Sequence, residues 1–159
     1  MPALCLCFNI HEPYLLRRYT VFDMGQSSVY EDDDRNCEAV LRAARLCYLP
    51  AGELLLRLVR RYEGAFVTSL CVSGTALDLF EQYAPEVTEM LQALAKTGCV
   101  EFVAETSAHS LAFLYSREEF DRQVKAQTAR LKSLFGKKPQ TFMRLLPRSM
   151  PIWPSPSVR

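Results

Sequence analysis

Residues 3–13 read ALCLCFNIHEP, and residues 98–109 read GCVEFVAETSAH. Each segment begins as a continuous apolar run, the pattern of a strand that is buried on both faces of a parallel sheet, and then becomes polar. In parallel α/β sheets and barrels, the residues that carry chemistry collect at the carboxyl ends of the strands. One histidine and three carboxylates, His11, Glu12, Glu101 and Glu105, lie at two such strand ends.

The rest of the chain predicts helices alternating with strands. Asp32, Asp33 and Asp34 suit the cap and first turn of a helix that stops near Tyr48-Leu49-Pro50. Further helices are predicted over 51–62, 75–83, 85–96 and 117–135, a second strand over 65–72, a helical turn within 107–114, and the start of a fourth strand at 139–142. This order predicts an α/β fold with parallel strands and right-handed crossovers, either a small open sheet or the first half of a barrel.

Composition narrows the class of protein. The 159 residues, 49% of them hydrophobic and 23% charged, fit one globular domain. A net charge of +1 gives no support for nucleic acid as a partner. We expect no membrane partner and a cytoplasmic location, because no targeting segment or apolar span is visible. The six cysteines include no CxxC pair and predict reduced thiols without a metal site.

Polar side chains at the two strand ends are the candidate site. Glu101 and Glu105 are four residues apart, which places both on the same face of an extended chain. Such carboxylates can serve acid–base chemistry, bind sugar hydroxyls or cap a helix, and His11 can bind a polar ligand or a metal. Each residue alone favours a structural role, but together at corresponding strand ends they favour a ligand site.

Several collinear blocks resemble one enzyme family. They are residues 8–25 with His11-Glu12-Pro13, then 45–51, 69–77 and 81–87, and finally Gly98-Cys99-Val100-Glu101 continued through His109-Ser110-Leu111. From about residue 3 to 142 the chain resembles glycoside hydrolase family 57, the α-amylase and 4-α-glucanotransferase group. Its first motif is His-Gln-Pro and its second a Gly-x-Val-Glu strand.

The resemblance implies a fold and a reaction. The fold is an incomplete (β/α)7 barrel, and the reaction is retaining cleavage or transfer of α-glucosidic bonds, which needs two carboxyl groups about 5 Å apart. The implied partner is an α-glucan or malto-oligosaccharide, with no cofactor. By resemblance, His11 and Glu101 line the sugar subsite beside the nucleophile, and Glu105 and His109 belong to the same wall.

The chain also departs from the family pattern. Similar proteins carry an Arg-Asn-Thr-Glu type segment with the nucleophile after the position of Phe142, whereas here Met143-Arg-Leu-Leu follows and no acidic residue occurs after Asp121. The acid/base Asp of a later strand is also missing. Glu12 replaces the family Gln and adds a charge that would disfavour neutral His11.

These departures predict a truncated family member, the N-terminal portion of the barrel. Residues 1–142 would form a partial catalytic domain, and residues 143–159 an irregular Pro-rich tail read out of frame. No catalytic residue would be present, so the chain would be inactive alone, and its open sheet edge would favour self-association.

Three other interpretations remain open. One is a non-catalytic glucan-binding remnant. The second is a metal-dependent polysaccharide deacetylase. Such an enzyme needs an Asp-Asp strand end and a His-x-x-x-His pair, whereas this sequence has only His11 and His109 as histidines. The last is a purely structural α/β domain.

Overall fold

A parallel three-stranded sheet organises the molecule. The computed structural model describes residues 4–26, 28–62 and 64–143. Strands β1 (Cys7–Ile10), β2 (Thr68–Val72) and β3 (Val100–Val103) lie in the order β1-β2-β3. Asn9 lies opposite Cys71, and Cys71 opposite Val103. The predicted α/β class with a parallel sheet is confirmed, and the carboxyl ends of all three strands meet at one edge.

Five helices connect and flank these strands in the predicted order. They are α1 (Asp33–Ala43), α2 (Leu49–Arg61), α3 (Gly74–Tyr83), α4 (Pro85–Lys96) and α5 (Arg117–Phe135), with short 3-10 turns at Val21–Asp23 and Ala112–Leu114. Helix α1 begins where the acidic run predicted, because the Asp32 side chain accepts a hydrogen bond from the Arg35 amide at 3.1 Å. Gly136 ends α5 in the left-handed conformation, with φ of 77°.

The predicted stop between the first two helices is wrong. A π-helical turn, Ala44–Tyr48, joins α1 to α2, and the backbone stays right-handed helical through Leu49. Pro50 therefore lies in the first turn of α2 rather than after a helix end. A wider turn immediately before a proline gives its ring the room that a continuous α-helix denies it.

Alternate residues along each strand point to opposite faces of the sheet, and the hydrophobic core lies on one of them. Leu70, Val72, Val100 and Phe102 pack into the hydrophobic core against the helices, and Phe102 stacks on Phe135 with ring centroids 3.9 Å apart. The other face therefore carries the intervening residues Cys7, Asn9, Ser69, Cys71, Glu101 and Val103. Burial on this second face is uneven, since Cys71 and Val103 are buried whereas Cys7, Asn9 and Glu101 are exposed.

The predicted fourth strand is reduced to one parallel bridge, between Ala104 and Phe142. The Ala104 amide donates to the Thr141 carbonyl at 2.9 Å, and the Met143 amide donates to the Ala104 carbonyl at 2.8 Å. The predicted irregular tail begins at Met143, and all of it beyond that residue lies outside the described residues.

Candidate functional site

Two histidines from separate loops meet at the carboxyl edge of the sheet. His11 follows β1 directly, and His109 lies in the loop after β3. Their rings stack with centroids 4.0 Å apart and planes 20° apart. The Nδ1 atom of His11 is 2.9 Å from Ser73 Oγ, and Nδ1 of His109 is 2.5 Å from Glu105 Oε2. The structure therefore brings together three of the four predicted site residues, His11, Glu105 and His109.

Glu105 is a buried carboxylate with one strong partner. The residue is 2% exposed, and burial raises its pKa above the ordinary range, while the hydrogen bond from His109 opposes that rise. The thiol of Cys71 also approaches this carboxylate. Apart from that weak donor, Oε1 has no hydrogen-bond partner among the described residues. The carboxylate is thus held between a histidine and a thiol.

His109 has a backbone conformation that is uncommon for a residue with a side chain. Its φ is +50°, in the left-handed region. The turn is closed by the His109 amide, which donates to the Thr106 carbonyl at 3.0 Å, and by the Ser110 amide, which donates to Thr106 Oγ1 at 2.8 Å. Ser110 Oγ in turn donates to Gln123 Oε1 on α5 at 2.8 Å. The loop is therefore fastened to a helix in the conformation that places the His109 ring on His11.

The end of β2 supplies the other anchor. Ser73 caps α3, its hydroxyl accepting from the Ala76 amide at 3.2 Å while it bonds His11. At Gly74, a Cβ atom would lie 2.6 Å from the Ser107 carbonyl oxygen, closer than real contacts allow. The absence of a side chain at Gly74 thus lets the loop after β3 pack directly on the start of α3.

Burial lowers the pKa of His11 below its ordinary value, and the neighbouring His109 lowers it further. The expectation that Glu12 would disfavour neutral His11 is therefore wrong. The Glu12 carboxylate faces Tyr48 instead, whose hydroxyl donates to Oε1 at 2.5 Å. Burial, and then that bond, raise the pKa of Tyr48, so the hydroxyl remains a donor.

Glu101 lies away from this cluster. Its side chain is exposed, and Thr141 Oγ1 donates to Oε1 at 2.6 Å. Four residues of extended chain separate it from Glu105 by about 13 Å. It lines a cavity of about 730 Å³ at the amino ends of the strands, with Leu6, Val100 and Lys137. That cavity is at the opposite end of the sheet from the paired histidines. It is therefore separate from the site that the histidines form, whatever its size.

The part of the chain that the structure describes holds no group of three or more His, Cys, Asp or Glu side chains suited to a metal ion. All six cysteines are free thiols. None of the helices in the described ranges combines the length and the apolar character needed to cross a bilayer.

Sequence reasoning missed two members of the site. Ser73 was expected only as part of a turn, and Tyr48 as the end of a helix. The signal for Ser73 was its position at the carboxyl end of β2, directly before a helical pattern, which is where both caps and ligand-binding residues occur.

Comparison with known proteins gives consistent matches. The model of the family described as glycosyl hydrolase family 57 matches residues 5–144. A putative α-amylase of Methanocaldococcus jannaschii is 30% identical over 138 residues, which are 85% of this chain and 29% of that protein. The chain thus spans less than a third of the length of this curated relative.

Two solved structures share the fold. The 4-α-glucanotransferase of Thermococcus litoralis superposes with a TM-score of 0.61 at 17% identity, over 86% of this chain and 18% of that one. A branching enzyme of the same family from Thermococcus kodakaraensis, solved in complex with glucose, gives a TM-score of 0.57 at 16% identity, over 86% and 31%.

Proposed function

Because the chain belongs to glycosyl hydrolase family 57, we propose that it forms part of the substrate-binding wall of an α-glucan-active hydrolase or transferase. The sheet edge that carries His11, Glu105 and His109 would face an α-glucan or malto-oligosaccharide. The three-stranded sheet would be the N-terminal portion of a larger β/α barrel, in which the bridge at Phe142 marks the place of the next strand.

The observation that carries this proposal is the pair of stacked imidazoles at the carboxyl edge. Each ring engages a neighbour through Nδ1, and Nε2 of neither ring has a hydrogen-bond partner among the described residues. A neutral imidazole nitrogen can donate to or accept from a hydroxyl group. Two imidazoles stacked with centroids 4.0 Å apart suit neighbouring hydroxyls of a glucan.

The same geometry argues against bond cleavage by these residues alone. A retaining mechanism needs carboxyl groups about 5 Å apart, and an inverting one about 6.5–9.5 Å. Glu101 and Glu105 are separated by about 13 Å of extended chain. Glu105 is moreover buried and bound to His109. We therefore propose that these residues bind glucan and that the nucleophile and the acid/base are not among them.

Calorimetric titration with maltoheptaose, run beside a reducing-sugar assay on soluble starch, tests the proposal. The chain should bind the oligosaccharide without turnover, and His11→Ala should abolish binding. Glu86→Ala, which changes an exposed side chain on α4, should bind as the parent does. No detectable binding by the parent, or starch turnover that His11→Ala removes, would contradict it.

Binding without turnover also fits the alternative of a non-catalytic glucan-binding protein. The two are separated by adding a second polypeptide that supplies the remaining two thirds of a family relative. Recovery of turnover favours the partial enzyme, whereas unchanged binding without turnover favours the binding protein.

The outer edge of β1 supports one further part of the proposal, that copies of this chain associate. In the described structure β1 pairs only with β2, so its other side presents unpaired backbone groups. Natural edge strands resist pairing with other chains through charged residues and proline, and residues 4–10 contain neither.

The cytoplasmic location stays a prediction.

A further inference from the structure

The two stacked histidines have different anchors. His11 is held by Ser73, a neutral hydroxyl that can either donate or accept. His109 is held by Glu105, a carboxyl group that in its ionised form can only accept. The choice of anchor therefore decides which nitrogen of His109 carries the proton, whereas Ser73 leaves that choice open for His11.

We propose that Glu105 is a positioning residue that fixes His109 in the tautomer with the proton on Nδ1, so that Nε2 accepts a hydrogen bond from a hydroxyl of the bound glucan. This inference rests on the proposed function. It assigns to His109 the acceptor role in the site and gives the buried carboxylate a reason to be there.

The energetics of the loop support a functional role over simple core packing. Burying a carboxylate carries a desolvation penalty, and replacement of a whole buried polar pair by apolar side chains is often neutral or stabilising. The left-handed backbone of His109 adds strain of about 1–3 kcal/mol. Two unfavourable features within five residues, both serving to hold one ring, are typical of a site at which geometry matters more than stability.

Two substitutions separate positioning from packing. Glu105→Leu removes the acceptor and the buried charge, whereas Glu105→Gln removes the charge but keeps an amide oxygen that can accept from Nδ1. We expect Glu105→Leu to unfold at a lower urea concentration than the parent, because Nδ1 of His109 loses its partner, and the folded variant to bind maltoheptaose about 10-fold more weakly. Glu105→Gln should restore most of that affinity. The same substitutions at the exposed Glu86 serve as controls and should change neither quantity.

Nitrogen-15 NMR of the imidazoles gives the direct readout and needs no sugar. Because the chain has only two histidines, His11→Gln leaves His109 as the sole imidazole signal. We expect the Nδ1–H tautomer in the Glu105 protein and a mixture of tautomers in Glu105→Leu. If Glu105→Leu does not fold, the parent's tautomer decides the question alone.

The outcomes distinguish this inference from the proposed function. If the parent fails to bind any malto-oligosaccharide, the proposed function fails, while the tautomer measurement still tests the role of Glu105. An Nε2–H tautomer of His109 in the parent overturns the inference. Parent-like affinity in a folded Glu105→Leu variant overturns it as well.

Discussion

At the scale of the residue, the contact between His11 and His109 links two loops that are far apart in the sequence. The stack places two basic groups with ring centroids 4.0 Å apart, so that protonation of one disfavours protonation of the other. The ring of His109 faces Glu105 on one side and His11 on the other. His11 has no acidic partner of its own among the described residues, so nothing there opposes the lowering of its pKa by burial and by His109.

This arrangement predicts how stability changes with pH. Burial and His109 lower the pKa of His11 in the folded protein, so the unfolded chain takes up that proton first as the pH falls. The contribution of His11 is therefore fully present above its ordinary pKa of about 6.5 and is lost on acidification below it. Urea unfolding of the parent and of His11→Gln at about pH 7.5 and about pH 5.5 measures it.

We expect the parent to lose more stability between those two pH values than His11→Gln does. An NMR titration of the His11 ring should give a midpoint below that of a free histidine. A midpoint at or above the free value would show that the ring is not desolvated as described.

Most of the candidate site could be predicted from the sequence, because the carboxyl-end rule needs only strand positions. That rule predicts a site at the strand ends from His11, Glu101 and Glu105, and the family resemblance adds His109 to it. The rule could not separate Glu101 from the others, because two residues on one face of a strand still differ by about 13 Å in height. Nor could it find Ser73 as a partner of His11, since that contact depends on the order of the strands.

At the scale of the element, the helical stretch from Asp33 to Arg61 contains a π turn that serves the site. Its last residue, Tyr48, reaches the Glu12 carboxylate beside His11, and its ring packs edge-on against Phe80 with centroids 5.1 Å apart. π turns interrupt α-helices frequently at functional sites, because the inserted residue re-aims the side chains around it. Helix propensity and the position of Pro50 predict a break here. The contacts of Tyr48 with Glu12 and Phe80 could not be predicted, because a local sequence pattern holds no information on distant residues.

Removing the Tyr48 hydroxyl should cost stability. The bond runs from a half-buried donor to a carboxylate, and such bonds contribute about 1.5–3 kcal/mol. We therefore expect Tyr48→Phe to lower the free energy of unfolding, measured in urea, by about 2 kcal/mol. Tyr115→Phe, which changes a residue that is 90% exposed, should lower it by less than about 0.5 kcal/mol. Equal effects of the two substitutions would mean that the Tyr48–Glu12 bond contributes nothing.

Elements with clear end signals were predicted well. The acidic cap at Asp32, the glycine after α5 and the serine before it all lie where the structure begins or ends a helix. The strands are shorter than their apolar runs, because β1 and β3 are paired over only four residues each. A run of apolar residues sets where a strand is buried, whereas its paired length depends on the neighbours that other parts of the chain supply.

At the scale of the whole molecule, the sheet has its hydrophobic core on one face and is open at the β1 edge. An uncharged edge strand is a template for another strand, and natural proteins often protect such edges with lysine. Cys7 lies in β1 and is exposed, so a charged side chain there can be accommodated without disturbing the core.

We expect sedimentation velocity to show concentration-dependent association of the chain under reducing conditions, and Cys7→Lys to reduce it. Cys47→Lys makes the same change of charge at an exposed position in the π turn, outside β1, and should leave the association unchanged. If both variants weaken association equally, the effect is one of net charge. A parent chain that stays monomeric at all concentrations would contradict the proposal that copies associate.

The close approach at Gly74 restricts how relatives with this site can vary. A Cβ atom at position 74 would lie 2.6 Å from the Ser107 carbonyl oxygen. Any side chain there would therefore push the loop after β3 outward and move the His109 ring away from His11. A relative that has alanine there must either lengthen that loop or abandon the paired imidazoles. The two positions should therefore change together across the family, a pattern that an alignment of full-length members can reveal.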